Sequence, residues 1–287
     1  FLNALIIYVI IGVSVGLTAY GWVKAQHGTE VVEITIPFDH LPSDLEGFRI
    51  AQISDLHVGP TIKHDFVRSM VDRVNTLDAD LVVFTGDLAN DKVSYLIADI
   101  APLANLKSRY GNYFITGNHE YYTGVESWLR ETHNLGFINL LNDFRVIEHK
   151  SSRLVLGGVV DFDHSAGQVD KRYRSDPAAS LAGAPIADLK ILLAHQPINI
   201  FEASRVGYDL QLSGHTHGGQ YYPWAWVVKQ FHPALQFQRQ FLSGLHLVGK
   251  TWLYVNEGTG YFGPPLRLGT RSEITLIRLT QAKTPFK

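Results

Sequence analysis

The sequence FRIAQISDLHVG, at residues 48–59, consists of a mostly apolar run followed by an acidic residue and a histidine. The run from Phe48 to Ser54 has the length of a strand that is buried in a sheet. Asp55 and His57 come directly after it, where the strands of α/β sheets carry functional side chains. The stretch therefore predicts a strand of an α/β sheet with a polar site at its carboxyl end.

Two further predicted strands with polar side chains at their ends follow at regular spacing. Leu81–Thr85 leads to Asp87, and Tyr113–Thr116 leads to Asn118. Asp87 follows Asp55 by 32 residues, and Asn118 follows Asp87 by 31. Because one βαβ unit takes about 30 residues or more, we expect the three polar groups to emerge at one edge of a parallel sheet.

The rest of the chain alternates between helical and strand-like patterns and then becomes mainly strand-like. Helical spacing occurs in Ile62–Leu77, Val93–Leu106 and Val125–Leu135. Further strand-like runs are Val31–Pro37, Leu154–Val160, Ile191–Leu193, Leu210–Leu212, Trp252–Val255 and Ile274–Leu279. This order predicts a layered α/β domain with two sheets, and Ser165–Pro185 is expected to be a surface loop or cap segment.

The first residues form an uninterrupted apolar segment. Phe1 to Val23 contains no charged side chain, and Lys24 is the first charge. A helix of about 20 such residues spans a hydrocarbon layer of about 30 Å, and Trp22 suits the membrane interface. A buried core helix or a signal-peptide segment is the alternative, although signal peptides usually begin with basic residues. The start at Phe1 suggests that a longer membrane region precedes this helix.

The overall composition excludes several classes of function. Hydrophobic residues make up 46% of the 287, charged residues 18%, and the net charge is −2. A near-neutral chain of this kind is not expected to bind nucleic acid, which requires a basic face. The chain has no cysteine, so disulfides, thiolate metal ligands and cysteine nucleophiles are ruled out. It has 13 histidines, however, which can ligate metals.

Five short polar motifs follow predicted strands. They are Asp55-Leu56-His57, Gly86-Asp87, Gly117-Asn118-His119-Glu120, Ala194-His195-Gln196-Pro197 and Gly214-His215-Thr216-His217. Each alone could be a turn, a helix cap or a hydrogen-bonded structural histidine. Together they would bury several histidines and acids, which is costly unless a partner such as a metal ion is bound.

The donor atoms in these motifs are oxygen and imidazole nitrogen. The candidate ligands are Asp55, His57, Asp87, Asn118, His195, His215 and His217. One ion needs about four protein ligands, so seven donors predict two ions roughly 3.5–4 Å apart. Such a pair activates water for attack on a phosphoryl group. Mn, Fe and Zn all suit mixed imidazole and carboxylate ligands, and His119 is left over as the candidate acid catalyst.

In this order, the motifs resemble the calcineurin-like metallophosphoesterases over about residues 48–280. The resemblance implies an α/β metallo-dependent phosphatase fold, a four-layer αββα sandwich, here with an N-terminal transmembrane helix. The implied domains are residues 1–23 as the transmembrane helix, 24–47 as linker and first strand, and 48–280 as the metallophosphoesterase catalytic domain. The implied first-ion ligands are Asp55, His57 and His217, and the second-ion ligands are Asn118, His195 and His215, with Asp87 bridging and His119 catalytic.

The resemblance extends to one branch of the family. The apolar N-terminus, Gly214–Gln220 and the ending with Pro264-Pro265-Leu266-Arg267 resemble the membrane-associated bacterial phosphoesterases of the YkuE and YaeI types. This implies a location in a membrane, the bacterial inner membrane, and contact with the bilayer. Trp224 and Trp226 belong either to the core or to an interfacial patch.

The leading hypothesis for the reaction is hydrolysis of a phosphodiester or pyrophosphate, lipid-linked ones included, by metal-activated water. The alternatives are a membrane-anchored enzyme that acts on soluble substrates and a non-catalytic, metal-stabilised scaffold. Protein serine/threonine phosphatases carry an arginine after the Gly-Asp pair, and Gly86–Asp91 has none. If an arginine contacts the phosphate, the candidates are Arg267 and Arg271; otherwise both face solvent.

Overall fold

The structure, a computed structural model, describes residues 2–161, 174–222 and 240–282. The predictions for Trp224 and Trp226 lie outside these residues, as does part of the Ser165–Pro185 segment. The described remainder of that segment includes one short 3₁₀ turn, Ala179–Leu181.

The helices in these ranges are α1 Leu2–Gln26, α2 His64–Asn75, α3 Val93–Ile100, α4 Asn118–Thr123, α5 Val125–Asn134 and α6 Ile200–Val206. The strands are β1 Glu30–Phe38, β2 Arg49–Ile53, β3 Leu81–Phe84, β4 Asn112–Phe114, β5 Phe137–Asn139, β6 Asp143–His149, β7 Ser152–Gly158, β8 Leu189–Leu193, β9 Leu210–Ser213, β10 Gly244–Val248, β11 Thr251–Val255 and β12 Glu273–Gln281. The predicted strands are confirmed to within about two residues at each end.

These strands form two sheets, as the sequence pattern predicts. The first sheet has the order β1-β12-β2-β3-β4-β5, in which β2 to β5 run parallel. The second has the order β10-β11-β9-β8-β7-β6, in which β11, β9, β8 and β7 run parallel. The parallel strands of each sheet therefore end on a common edge, where the polar motifs were expected.

Each sheet buries both of its faces, which gives four layers in the order helix, sheet, sheet, helix. In β3, Leu81 and Val83 pack in the core between the sheets, whereas Val82 and Phe84 pack among the helices of the first sheet. This alternation follows from the two-residue period of a strand. Because both faces are covered, β3 reads in the sequence as one continuous apolar run. The four-layer αββα sandwich is confirmed.

Some short elements differ from the predicted ones. The helix expected over Val93–Leu106 ends at Ile100 and continues as a 3₁₀ turn, Ala101–Asn105, that contains Pro102. Proline lacks the N–H that an α-helix requires. The predictions also missed β5, β6, β10 and α6, which are short or lie at sheet edges and so carry weak periodic patterns.

The N-terminal helix α1 differs from the others in its exposure. Asn3–Gln26 is long and apolar enough to cross a membrane by length and composition, and most of its residues are exposed. The helix meets the rest of the chain near its C-terminal end, where Ala25 is fully buried. It extends three residues beyond the predicted end at Val23.

Candidate metal centre

All seven predicted ligands lie at the carboxyl ends of parallel strands, and the structure brings them together. The first sheet contributes Asp55 after β2, Asp87 after β3 and Asn118 after β4. His57 also follows β2, two residues after Asp55. The second sheet contributes His195 after β8, and His215 and His217 after β9. Because the two sheets face each other, loops from both meet at one edge of the sandwich.

Several of these residues have a backbone conformation that side chains rarely adopt. The φ angles of Asp55, His57, Asp87, His215 and His217 are 52°, 51°, 57°, 72° and 51°. Positive φ is uncommon for residues other than glycine and costs on the order of 1–3 kcal/mol each. Five such residues in one cluster indicate that the loops are shaped to aim side chains at a common point.

Glycines next to the ligands leave space for the carboxylates. A Cβ atom at Gly117 would lie 2.2 Å from Oδ1 of Asp87. A Cβ atom at Gly214 would lie 2.1 Å from Oδ2 of Asp55 and even closer to Oγ of Ser54. Real Cβ atoms do not approach oxygen this closely, so both positions require glycine for the carboxylates to reach the cluster.

The first group of donors consists of Asp55, His57 and His217. Nε2 of His57 lies 3.0 Å from Nε2 of His217, which lies 3.4 Å from Oδ1 of Asp55. Nδ1 of His57 donates to Oδ1 of Asn90 at 2.7 Å. With its proton on Nδ1, the ring of His57 presents the lone pair of Nε2 to the group.

The second group consists of Asp87, His195 and His215, with Asn118 beside them. Nε2 of His195 lies 3.3 Å from Oδ2 of Asp87 and 3.2 Å from Nδ1 of His215. Oδ1 of Asn118 lies 3.1 Å from the same nitrogen of His215. Nδ1 of His195 faces the carbonyl of Thr85 at 2.7 Å, so in the neutral ring the proton stays on Nδ1 and Nε2 presents its lone pair to the group.

Asp87 lies between the two groups. Its Oδ2 is 3.7 Å from Nε2 of His57 on one side and 3.3 Å from Nε2 of His195 on the other. Its Oδ1 accepts the backbone N–H of His119 at 2.9 Å. The carboxylate is therefore within reach of donors from both groups, as a bridging ligand must be.

The charge states of His57, His217 and Asp87 suit a cation. Burial lowers the pKa of His57 to about 4 and holds the pKa of His217 well below its usual range, so both imidazoles are neutral. Burial opposes ionisation of Asp87, but His195 and His57 outweigh it and hold the pKa of this carboxyl well below its usual range. Burial raises the pKa of Asp55 to about 6, and the nearby Asp87 carboxylate adds to the rise.

Neutral imidazoles and buried carboxylates are the forms in which these side chains ligate metals. The donor types, the fixed Nδ1 protons and the convergence of the acceptor atoms within 4.8 Å in each group all fit divalent metal ions. The residues present therefore satisfy what a metal centre of oxygen and imidazole ligands requires.

Glu120 supports this centre from behind and was not assigned a role from the sequence. Its carboxylate is fully buried and accepts backbone N–H groups from Asp87 at 3.1 Å, Leu88 at 2.8 Å and Gly117 at 2.6 Å. Asn90, which orients His57, was also missed. The only sequence signal for either residue is proximity, Glu120 within the Gly-Asn-His-Glu motif and Asn90 three residues after Asp87.

His119 lies at the mouth of the centre rather than within it. Its ring centre is 4.6 Å from that of His57 and 5.2 Å from that of Phe262. Burial lowers the pKa of His119, although the Asp87 carboxylate opposes the shift. A ring nitrogen of His119 also falls within 4.8 Å of donor atoms of His57 and Asp87, so its position is compatible with catalysis or with ligation.

An open cleft of about 500 Å³ leads to the donors. Its floor includes His57, Asp87 and Asn118, and its walls include Gln220 and Phe262. The rim is aromatic, because the side chains of Tyr122 and Phe262 are 63% and 52% exposed. A substrate can therefore reach the centre from solvent.

The two arginines predicted to contact phosphate lie elsewhere. Arg267 is 1% exposed and donates to the carbonyls of Glu257 and Gly258, both at 2.9 Å, and of Gly260 at 3.1 Å. This placement contradicts the expected phosphate contact of Arg267, because its guanidinium is used to hold the loop beneath His217. Arg271 is exposed, and its Nε lies 3.8 Å from a carboxylate oxygen of Glu257. It is not one of the described residues that line the cleft.

Comparisons with known proteins agree with this geometry. Residues 48–219 match the sequence profile of the calcineurin-like phosphoesterases. A zebrafish (Danio rerio) protein named transmembrane protein with metallophosphoesterase domain is 38% identical over 273 residues, which cover 93% of this chain and 61% of the relative. The uncharacterized metallophosphoesterase YkuE of Bacillus subtilis is 29% identical, with 91% of this chain and 89% of YkuE covered.

Among solved structures, the Plasmodium protein described as GAP50, the anchor in the inner membrane complex, superposes with a TM-score of 0.52. The match covers 80% of this chain and 77% of that chain at 10% sequence identity, so the likeness concerns the fold alone. The chain spans about 61% of the length of the two vertebrate transmembrane relatives it matches.

Proposed function

The chain belongs to the calcineurin-like phosphoesterase family, and we propose that it is a membrane-anchored hydrolase that uses two divalent metal ions to cleave a phosphoester. Asp55, His57 and His217 would hold one ion, and Asn118, His195 and His215 would hold the other. Asp87 would be shared between them. The observation that carries this proposal is that Asp87 lies within 3.7 Å of imidazole nitrogens of both groups.

The chemistry of such a centre depends on residues that this chain supplies. Two bound divalent ions would neutralise phosphoryl oxygens and acidify a water molecule. Asp87 and Asp55 balance the positive charge, and Asn90 and Thr85 keep the rings of His57 and His195 in the required tautomers.

His119 acts at the mouth of the centre. Its ring lies beside His57 and Phe262 in the lining of the cleft, within reach of the leaving oxygen of a phosphoester bound there. A proton donated there stabilises the leaving group. The N–H of His119 donates to Asp87, so the backbone that carries the catalytic ring is fixed relative to the bridging carboxylate. The position outside the ligand groups is consistent with this role.

The helix α1 supplies the membrane anchor in this proposal. The 24-residue length of Asn3–Gln26, its apolar composition and the exposure of most of these residues support this assignment. The name of the zebrafish relative, which also refers to a transmembrane protein, supports it too. The catalytic domain proposed for residues 48–280 follows, and the first strand, β1, completes its first sheet by pairing with β12.

The cleft favours an ester with a bulky or apolar group over a bare phosphate. Its open shape and aromatic rim leave room for two substituents on phosphorus. We therefore propose a phosphodiester or pyrophosphate as the substrate, with Mn, Fe or Zn as the ions.

The test is to remove metals from the full chain and add back Mn, Fe or Zn singly. Hydrolysis of bis(p-nitrophenyl) phosphate is then measured beside p-nitrophenyl phosphate. We expect two equivalents of metal and diester hydrolysis that depends on them. Fully reconstituted protein without activity on either ester would contradict the proposal and favour a metal-stabilised scaffold.

A further inference from the structure

The helix α1 is attached to the loop that forms one wall of the metal cleft. The backbone N–H of Arg267 donates to the carbonyl of Gly21 at 3.0 Å. A Cβ atom at Gly21 would lie 3.4 Å from the carbonyl oxygen of Arg267 and 3.6 Å from the side chain of Leu266. The helix and the loop therefore touch through backbone at close range, which fixes their relative position.

Beyond this contact, the helix and the loop enclose a groove of about 570 Å³. The helix lines it with Ser14, Val15, Thr18, Ala19 and Trp22, and the loop lines it with Pro264, Pro265 and Leu266. The helical positions recur at spacings of three and four residues, so they form one face that is about 12 Å long.

The walls of the groove are suited to hydrocarbon. They are largely apolar, and the hydroxyl of Thr18 is used within the helix, where it donates to the carbonyl of Ser14 at 2.8 Å. If α1 spans a bilayer, this face lies at the depth of the acyl chains, with Trp22 toward the interface.

The backbone of the loop is also prepared for an apolar environment. Pro264 and Pro265 have no N–H to desolvate. The N–H of Leu266 donates to the carbonyl of Pro264 at 2.7 Å, and that of Phe262 donates to Oε1 of Gln220 at 2.7 Å. Paired or missing donors reduce the cost of placing this loop at the membrane boundary.

The groove and the metal cleft share a wall. Pro264 lines both of them, while Phe262 and Gly263 line the cleft on the side toward His119. An ester chain attached to a phosphoryl group at the metal centre can thus extend past Phe262 and Pro264 into the groove without crossing the protein core.

We propose that the groove between α1 and Pro264–Leu266 is a binding site for an alkyl chain, so that the enzyme cleaves phosphoesters of lipids that stay embedded in the bilayer. This inference rests on the proposed function for the reaction and on α1 lying in the membrane. It adds the substrate class and a second binding site, which uses the anchor helix itself as one wall.

The experiment uses the full chain in nanodiscs and p-nitrophenyl phosphodiesters whose second ester is methyl, octyl or hexadecyl. Val15→Trp fills the groove. Val13→Trp makes the same change on the opposite side of α1, outside the groove lining, where Val13 is 55% exposed. Partitioning into the bilayer raises the local concentration of long-chain esters equally for both variants, so their difference reports the groove.

We expect kcat/KM to rise with chain length in the wild type and in Val13→Trp. Val15→Trp should lose about tenfold or more on the hexadecyl ester, since several methylene groups leave their site. It should cleave the methyl ester as the wild type does. If kcat/KM depends on alkyl-chain length equally in both variants, the groove does not bind the substrate chain and is filled only by bulk lipid, which would overturn the proposal.

A second measurement is independent of catalysis. A non-hydrolysable hexadecyl phosphonate with a terminal diazirine is photo-crosslinked in the same nanodiscs, and labelled peptides are mapped by mass spectrometry. Enriched labelling of Leu266 and the groove face of α1, reduced in Val15→Trp but not in Val13→Trp, supports the site. Labelling distributed evenly around α1 overturns it. Failure to hydrolyse any ester, with this labelling pattern intact, would overturn the proposed function instead.

Discussion

The carboxylate of Glu120 holds the backbone of Asp87: its Oε2 accepts the N–H of Asp87 at 3.1 Å, while its Oε1 accepts the next N–H along the chain at 2.8 Å. The main chain of Asp87, the candidate bridging ligand, is therefore held by the buried carboxylate of Glu120, which belongs to the Gly117–Glu120 motif. Burial raises the pKa of Glu120 to about 8, and the neighbouring Asp87 adds to the rise. The N–H donors oppose that shift by favouring the ionised form.

Replacing Glu120 by glutamine is expected to weaken metal binding. The amide NH₂ of glutamine cannot accept the N–H groups that one carboxylate oxygen now accepts, so the Asp87 loop loses support. Loss of such outer contacts costs about 10–100-fold in metal affinity. Metal titration of apoprotein measures this, with the half-buried Glu131→Gln on α5, outside the metal centre, as the matched control. Wild-type affinity in Glu120→Gln would contradict the supporting role.

Replacing Asp87 by alanine is expected to remove both metal ions and nearly all activity, because its carboxylate reaches both donor groups. Metal content by mass spectrometry and diester hydrolysis are measured on the same preparation. Asp72→Ala, on an exposed position of α2, is the matched control and should leave both unchanged. Two equivalents of metal in Asp87→Ala would refute the bridging assignment.

Replacing His119 by alanine is expected to lower turnover while both ions stay bound. A positioned acid contributes about 10²–10⁴ in rate, and His119 lies outside the two ligand groups that contain Asp55 and His195. The exposed His133→Ala on α5 controls for the loss of a histidine. Loss of one equivalent of metal in His119→Ala would instead make this residue a ligand, which its distance from Asp87 also permits.

The affinity of the metal-free protein for metal is expected to rise with pH. Burial disfavours the charged form of His195, but Asp87 outweighs burial and raises the pKa of His195 well above 6.5. The imidazolium therefore occupies the place of a cation, and its proton must leave as metal binds. Affinity should rise up to about tenfold per pH unit while one proton is displaced. Calorimetry in buffers of different ionisation enthalpy counts that proton, and an affinity that is constant from pH 6 to 8 would contradict the competition.

A chain that begins at His27 is expected to fold, to bind two ions and to cleave a small soluble diester at the rate of the full chain. The proposed ligands all lie beyond Ser54, and domains with their own core can fold alone. The truncation removes Ala25 and the contact of Gly21 with Arg267, so a modest loss of stability is expected. On an ester embedded in bilayers, the rate should fall because the anchor no longer raises the effective concentration. An unfolded product, or an unchanged rate on the embedded ester, would each contradict the division into anchor and catalytic domain.

Much of this protein could be predicted from local sequence. The strand before Asp55 is mostly apolar because its sheet is covered on both faces, and the even spacing from Asp55 to Asp87 to Asn118 reflects repeated βαβ units. These patterns are local or nearly so. They were sufficient to predict two sheets, the seven candidate ligands and the apolar helix.

The tertiary structure decided what depends on contacts between distant parts of the chain. The sequence places Arg267 near a glycine-rich loop, but only the folded chain reveals that three carbonyls surround its guanidinium and keep it from the cleft. Glu120 is next to His119 in the chain, yet its side chain points behind the centre to N–H groups more than 30 residues away. The groove beside α1 arises where residues 14–22 meet residues 264–266. The groove joins segments near opposite ends of the chain, and the contacts of Glu120 and Arg267 depend on how the intervening loops fold, so no local periodicity encodes them.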